Sequence, residues 1–239
     1  MIGVLDQGQD EERFIYVDPI SYGSQLMLAR ERLLDARTDM VDRLSNACVA
    51  YQHVADMNNA AYLKVLGTLS SSRDLAKAAL IDVRSNGGGN LTRELTTLLS
   101  GTAYAQVGRT GGPIKTEPNN RWVWPSAVLV DSFGYSDAAI FPQAYQDAGI
   151  GLLVGDTVLN TGTYVAQNAS KLVPGFNYAI PVLPSRRLDG SYYENHVIEP
   201  DIAVPFDPNT IGINTDPQLE AAVAALMTQI GTDTDCRLP

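Results

Sequence analysis

The chain has 239 residues, 45% of them hydrophobic and 18% charged, enough apolar matter for a buried core and unlike a disordered segment. A formal net charge of −10 argues against nucleic acid or an anionic membrane as partner, since both need a basic face. The longest apolar runs are far too short to span a bilayer, and residues 1–6 lack the basic and apolar regions of a signal peptide, which makes the cytoplasm the default compartment.

Residues 1–12 are polar and are expected to fray before a short strand at Arg13–Val17, stopped by Asp18-Pro19. From Ser24 to Ser45 the apolar residues Leu26, Ala29, Leu33, Met40 and Leu44 recur mostly three or four apart, which predicts an amphipathic helix; a bend or break near Arg37-Thr38 fits the same pattern. A buried strand follows at Cys48–Val54, with Cys48 read as a small buried residue because the two cysteines have neither metal nor redox spacing. Asn58 or Asn59 then caps a helix to about Leu69. Ala78–Val83 is apolar nearly throughout, as strands covered on both faces are, and runs into Arg84-Ser-Asn-Gly-Gly-Gly89. Asn90 is expected to open a helix striped by Leu91, Leu95, Leu98 and Leu99.

Residues 100–125 are rich in glycine and proline and read as a long, mostly irregular excursion. Ala127–Val130 is the next buried strand; a sharp turn through Ser132–Tyr135 leads to a helix opening at Ser136 and ending near Gly149. After a strand at Ile150–Val154, residues 155–163 read as a polar loop and Tyr164–Pro184 as two or three short strands. Ile198–Val204 reads as an edge strand interrupted by proline, and Asp216-Pro217 caps the last helix. Strand–helix alternation from Cys48 to Val154 predicts an α/β core with a largely parallel sheet.

Two places share one design, a buried strand, a tight turn and a helix N-terminus: the triple-glycine turn and the Ser136 turn. In a parallel sheet both lie at the carboxyl ends of their strands, where sites in open α/β sheets form. A serine at a helix N-terminus has its hydroxyl beside unpaired backbone N–H groups, as a nucleophile requires, although capping alone also explains a serine there. The amides of Gly89 and Asp137 could form an oxyanion hole beside it. The glycines are no phosphate loop, and Gly134-Tyr-Ser-Asp-Ala138 lacks the second glycine of a nucleophile elbow. The base has few candidates, His53, His196, a lysine or a group outside this chain: His53, on a core strand, reads as structural, and His196, two residues after Glu194, would share a face with it on an extended segment, although it reads first as an exposed loop histidine.

Taken together and in order, Asp39–Ser45, Val49–Met57, Ala79–Gly89, Ser136-Asp-Ala-Ala-Ile-Phe141, Gly155-Asp-Thr and Glu194–Asp201 resemble the tail-specific (C-terminal processing) serine peptidases, within them the tricorn branch. The resemblance spans residues 13–230 and implies a ClpP/crotonase-like α/β core, a mixed and largely parallel sheet flanked by helices. It implies Ser136 as nucleophile, the Gly89 and Asp137 amides as oxyanion donors, and Glu194 as the carboxylate that orients a histidine. The bacterial processing peptidases use a serine–lysine dyad, but here the lysine position falls at about Thr161, so the dyad is out. The tricorn branch takes its histidine from an amino-terminal helical domain, in a Ser-His pair that this sequence lacks.

The expected organisation is therefore a remnant of a PDZ-like domain or linker at 1–22, a catalytic core at 23–231 and a polar tail at 232–239. Expected partners are a peptide or unfolded protein substrate, the N-terminal helical and PDZ-like domains of the same parent chain, and copies of itself in a homo-oligomer. No metal or organic cofactor is expected. The alternatives are an inactive module on the same fold that binds peptide tails or apolar ligands, and crotonase-like acyl-CoA chemistry, which would not need Ser136.

Overall fold

Alternating buried strands and amphipathic helices produce a sheet covered on both faces. The computed structural model describes residues 1–8, 11–112, 114–210, 212, 214–231 and 236. The elements are β1 (Ile2–Val4), β2 (Arg13–Ile15), α1 (Tyr22–Ser45), β3 (Val49–His53), α2 (Asn59–Ser71), β4 (Ala78–Asp82), α3 (Thr92–Leu99), β5 (Ala105–Gly108) and β6 (Ile114–Glu117). They continue with β7 (Ser126–Val130), α4 (Asp137–Asp147), β8 (Leu152–Gly155), β9 (Val158–Asn160), β10 (Thr163–Ala169), β11 (Asn177–Pro184), β12 (His196–Ile198), β13 (Ile202–Ala203) and α5 (Pro217–Ile230).

Five strands form one sheet in the order β13-β8-β7-β4-β3, every neighbouring pair parallel. Alternate side chains serve opposite faces. Ala50, Ala79, Ile81, Val128, Val130 and Leu153 pack with α2, α3 and α4 residues such as Val65, Leu95 and Phe141. Val49, Tyr51, Leu80, Leu129 and Val154 pack with Met40 and Val41 of α1 and with Leu219, Val223 and Leu226 of α5. The α/β expectation holds, with helices on both sides of a parallel sheet.

Local signals placed two helix starts well. The Asn58 side chain accepts the Ala61 N–H at 2.9 Å to cap α2. Asp216 does the same for α5, accepting the Leu219 N–H at 3.2 Å, with Pro217 in the first turn. Elsewhere tertiary pairing adds order that the pattern did not predict. Residues 2–4 pair with β2 instead of fraying, and within the supposedly irregular excursion β5 pairs antiparallel with β6. β9 lies within the supposed loop 155–163 and pairs with β12. Tyr164–Pro184 belongs to one long hairpin, β10–β11, in which all eight β11 residues are exposed. The edge strand read at 198–204 divides at Pro200, its first part pairing with β9 and its second joining the sheet beside β8.

The chain divides into two compact units, residues 1–36 and 37–239. Helix α1 is continuous through Arg37-Thr38. Cys48 is buried as expected but is no free thiol: it is disulfide-bonded to Cys236, 188 positions away in sequence. Apart from Cys236, the polar tail at 232–239 lies outside the described residues. No helix among the described residues is long and apolar enough to cross a membrane.

Candidate active site

The turn after β7 is held by the buried Asp131. Its carboxylate accepts the Ser85 N–H at 2.8 Å, the Ser85 hydroxyl at 3.0 Å and the Phe133 N–H at 3.2 Å, so it ties the β4 turn to the β7 turn. Five residues on, Ser136 has φ 55° and ψ −124°, a conformation that strains any residue with a Cβ. Ser136 occupies the N-cap position of α4, yet its side chain makes no cap hydrogen bond. The capping explanation for a serine here therefore fails. Its own N–H donates to the Thr161 hydroxyl oxygen at 2.9 Å, and the neighbouring Tyr135 N–H donates to the Asn86 carbonyl at 3.1 Å.

Asp137 is 1% exposed, and its carboxylate leaves its own helix. It accepts the Leu91 N–H, the Thr92 N–H at 3.1 Å and the Thr92 hydroxyl at 2.7 Å. The start of α3 has no side-chain cap of its own, since Leu91 stands there, so Asp137 caps α3 from α4. Asn90, expected to open that helix, does not cap it. The Asp137 amide is first in α4, among those a helix leaves without an intrahelical partner.

The triple-glycine turn lies against Ser136. A Cβ on Gly88 (φ 95°) would stand 2.6 Å from the Tyr135 carbonyl oxygen, 2.7 Å from Ser136 Cβ and 3.1 Å from the Asp137 nitrogen. One on Gly89 (φ 147°) would stand 2.0 Å from the Met57 carbonyl oxygen. Met57 bridges Gly89 in parallel fashion, its N–H donating to the Gly88 carbonyl at 3.0 Å and its carbonyl accepting the Asn90 N–H at 2.7 Å. In such a bridge both bonds belong to Met57, so the Gly89 N–H is directed to the other side. Asn86, fully buried, sets the turn: Nδ2 donates to the Val54 carbonyl at 2.7 Å and Oδ1 accepts the Gly88 N–H at 2.8 Å.

Glu194 is half-buried in a turn, not on an extended segment. The His196 N–H reaches back to the Tyr193 carbonyl at 3.3 Å, and Asn195 has φ 58°. Glu194 and His196 are thus two positions of one turn and its exit, and the two-residue alternation that would align them does not apply. The Asn195 N–H donates to the Asn160 carbonyl at 3.0 Å. Residues 160 and 161 consequently touch both sides of the site: Thr161 binds the Ser136 amide, and Asn160 binds the residue after Glu194. His53 lies opposite Asp82 in the β3–β4 register. The Asp189 pKa is lowered chiefly by the Ser191 hydroxyl and N–H, which donate to its carboxylate at 2.6 and 2.8 Å.

Beneath the glycine turn lies a buried charge network with no counterpart in the sequence reading. Arg84 grips Asp82 with two bonds, Nε to Oδ1 at 2.9 Å and NH2 to Oδ2 at 2.7 Å, and reaches Asp216 Oδ1 at 2.9 Å. The Arg37 Nε stands 3.0 Å from Asp216 Oδ2, an ion pair too far off line for a hydrogen bond. Burial pushes the Asp82 carboxyl upward, but the Arg84 charge and hydrogen bonds outweigh it and hold the group well below the usual carboxylate range. Burial and then Asp82 push the Tyr51 hydroxyl, which donates to Asp82 at 2.8 Å, upward.

The sequence reading missed Asp131, Asn86, Thr161 and this network. Polar residues ending apolar strands were the available signal for Asp131 and Arg84; Thr161 was marked only as the place where the family's lysine falls, and nothing local marked Asn86. A cavity of about 380 Å³ opens beside Tyr193, between α4 and residues 186–189, and does not include Ser136 in its walls. Arg187 there is already paired with Asp147, Nε to Oδ2 at 2.9 Å.

Residues 48–204, more than half of the chain, match peptidase family S41. The tricorn protease of Thermoplasma volcanium is 24% identical over 196 residues, which cover 80% of this chain and 18% of that protein. The crystal structure of the tricorn protease superposes with a TM-score of 0.77 at 20% identity, covering 93% of this chain and 22% of that one. The photosystem II D1 C-terminal processing protease gives a TM-score of 0.52 at 20% identity, over 80% of this chain and 48% of that one. The chain thus spans about a fifth of the length of the tricorn relatives it matches.

Proposed function

Because the chain belongs to peptidase family S41, we propose that it is the catalytic core of a tricorn-like serine endopeptidase that cleaves peptide bonds through Ser136. The observation that carries this reading is the state of Ser136: strained backbone, hydroxyl not spent on its helix, and glycine backbone packed against it. Only a residue whose side chain is needed in that place has reason to bear the strain, because glycine would adopt the same backbone freely.

In the proposed reaction the Ser136 oxygen attacks the substrate carbonyl as a histidine takes its proton. The Gly89 and Asp137 N–H groups bond to the oxygen that becomes negative. The histidine then passes the proton to the leaving amine, and water releases the acyl group by the same route. Glu194 orients that histidine, which comes from an N-terminal domain of a longer parent chain. Residues 1–22 are the remnant of a PDZ-like domain or linker between the two. The substrate is a peptide or unfolded protein, and the parent assembles as a homo-oligomer.

Fluorophosphonate labelling followed by peptide mass spectrometry tests this. Residues 1–239 alone should label slowly at Ser136, and the longer chain carrying the histidine about a hundredfold or more faster, the range a general base contributes. His53→Ala and His196→Ala should leave the slow rate unchanged. Rapid stoichiometric labelling of residues 1–239 would retire the external histidine, and an adduct anywhere but Ser136 in the longer chain would retire the nucleophile.

A further inference from the structure

Asn160 is fully buried, and among the described residues neither its Oδ1 nor its Nδ2 has a hydrogen-bond partner. A buried carboxamide in that state is costly, and a leucine of similar shape would remove the cost. Its position gives a reason to keep it. Its main-chain carbonyl holds the Asn195 N–H, next to Glu194, and the following Thr161 holds the Ser136 N–H. The residue after that, Gly162, is pressed against the Glu194 turn: a Cβ there would stand 2.4 Å from Tyr193 Cβ and 3.4 Å from Asn160 Oδ1. Across the β9–β12 ladder Asn160 pairs with His196, the residue that leaves the Glu194 turn.

Resting on the reading of Ser136 and Glu194 above, we propose that Asn160 is a positioning residue for the reaction at Ser136. It keeps the Thr161 hydroxyl on the nucleophile's amide and the Glu194 turn at working distance, and its carboxamide completes its own bonds only in the reacting complex. Polar groups left without partners in the resting fold gather where a fold trades stability for a site. A residue that served the resting fold alone would have its bonds made already.

The test sets stability against reactivity in the same chain. Asn160→Leu should raise the melting temperature by about 3 °C, as relief of a buried unsatisfied amide does in a chain of this size. It should slow fluorophosphonate labelling of Ser136 by at least about tenfold, read as a rate relative to the unchanged chain. Asn160→Ala, smaller in every direction, repeats both measurements in case leucine overpacks the site. The proposal stands if at least one variant keeps or raises the melting temperature while both slow labelling. It is overturned if both variants melt lower, which makes the amide an ordinary structural group, or if labelling is unchanged. Absence of any Ser136 adduct in the unchanged chain over the same period would instead condemn the reading of Ser136, and the role of Asn160 with it.

Discussion

The two strand–turn–helix units at the carboxyl end of the sheet solve one geometric problem in opposite ways. After β4 the chain must pass flat against its neighbours, and it does so with glycines at φ 95° and 147° where any Cβ would strike Ser136 or Met57. After β7 a left-handed backbone is also required, but a serine occupies it at φ 55°. In the first turn the side chain is absent; in the second a side chain is kept and the strain is tolerated. Each turn is secured by the other, Asp131 holding Ser85, Asn86 holding Tyr135, and Asp137 capping α3.

That reciprocity can be broken step by step. The largest effect belongs to Gly89→Ala, whose Cβ would overlap the Met57 carbonyl in a strained backbone region. It should cost about 4 kcal/mol in denaturant unfolding, combining left-handed strain with overpacking. Arg84→Met leaves Asp82 and Asp216 buried with one arginine between them and should cost about 3 kcal/mol.

The same network sets the acid response. Asp82 is depressed in the folded state, so its stabilisation is present above an unfolded value of about 3.9 and is lost as pH falls from there through the folded value. Asp82→Asn should therefore flatten the acid limb of a stability–pH curve, and an unchanged limb would show that other carboxylates govern it. Asp137→Ala, which uncaps α3 from across the interface, should cost about 2 kcal/mol, and hydrogen exchange should quicken first at Leu91 and Thr92. Smallest and opposite in sign, Ser136→Gly should stabilise the chain by about 1 kcal/mol by relieving the strained backbone. A Ser136→Gly variant less stable than the parent would mean that the serine is structural.

Much of this was legible without coordinates. Period and apolar runs marked the helices and the buried core strands among the described residues, because those signals depend on neighbours within a turn or along one strand. Asn58 and Asp216-Pro217 announced their helices for the same reason. The order of motifs singled out Ser136, Gly89, Asp137 and Glu194, and their roles remain proposals for the labelling experiments to decide.

Packing decided the rest. Whether Ser136 capped its helix could not be read locally, since a cap and a strained elbow begin with the same residue. The Asp137 cap on α3, the Thr161 hydroxyl on the Ser136 amide and the Cys48–Cys236 bond join positions 45, 25 and 188 residues apart. Sequence by itself determined the helices and the buried core strands, through short-range pattern and burial, while β1, the β5–β6 pair and β9 took their order from tertiary pairing. Only the tertiary structure decided which side chains secure the turns between them, because those partners meet through the stacking order of the sheet and not through any spacing along the chain.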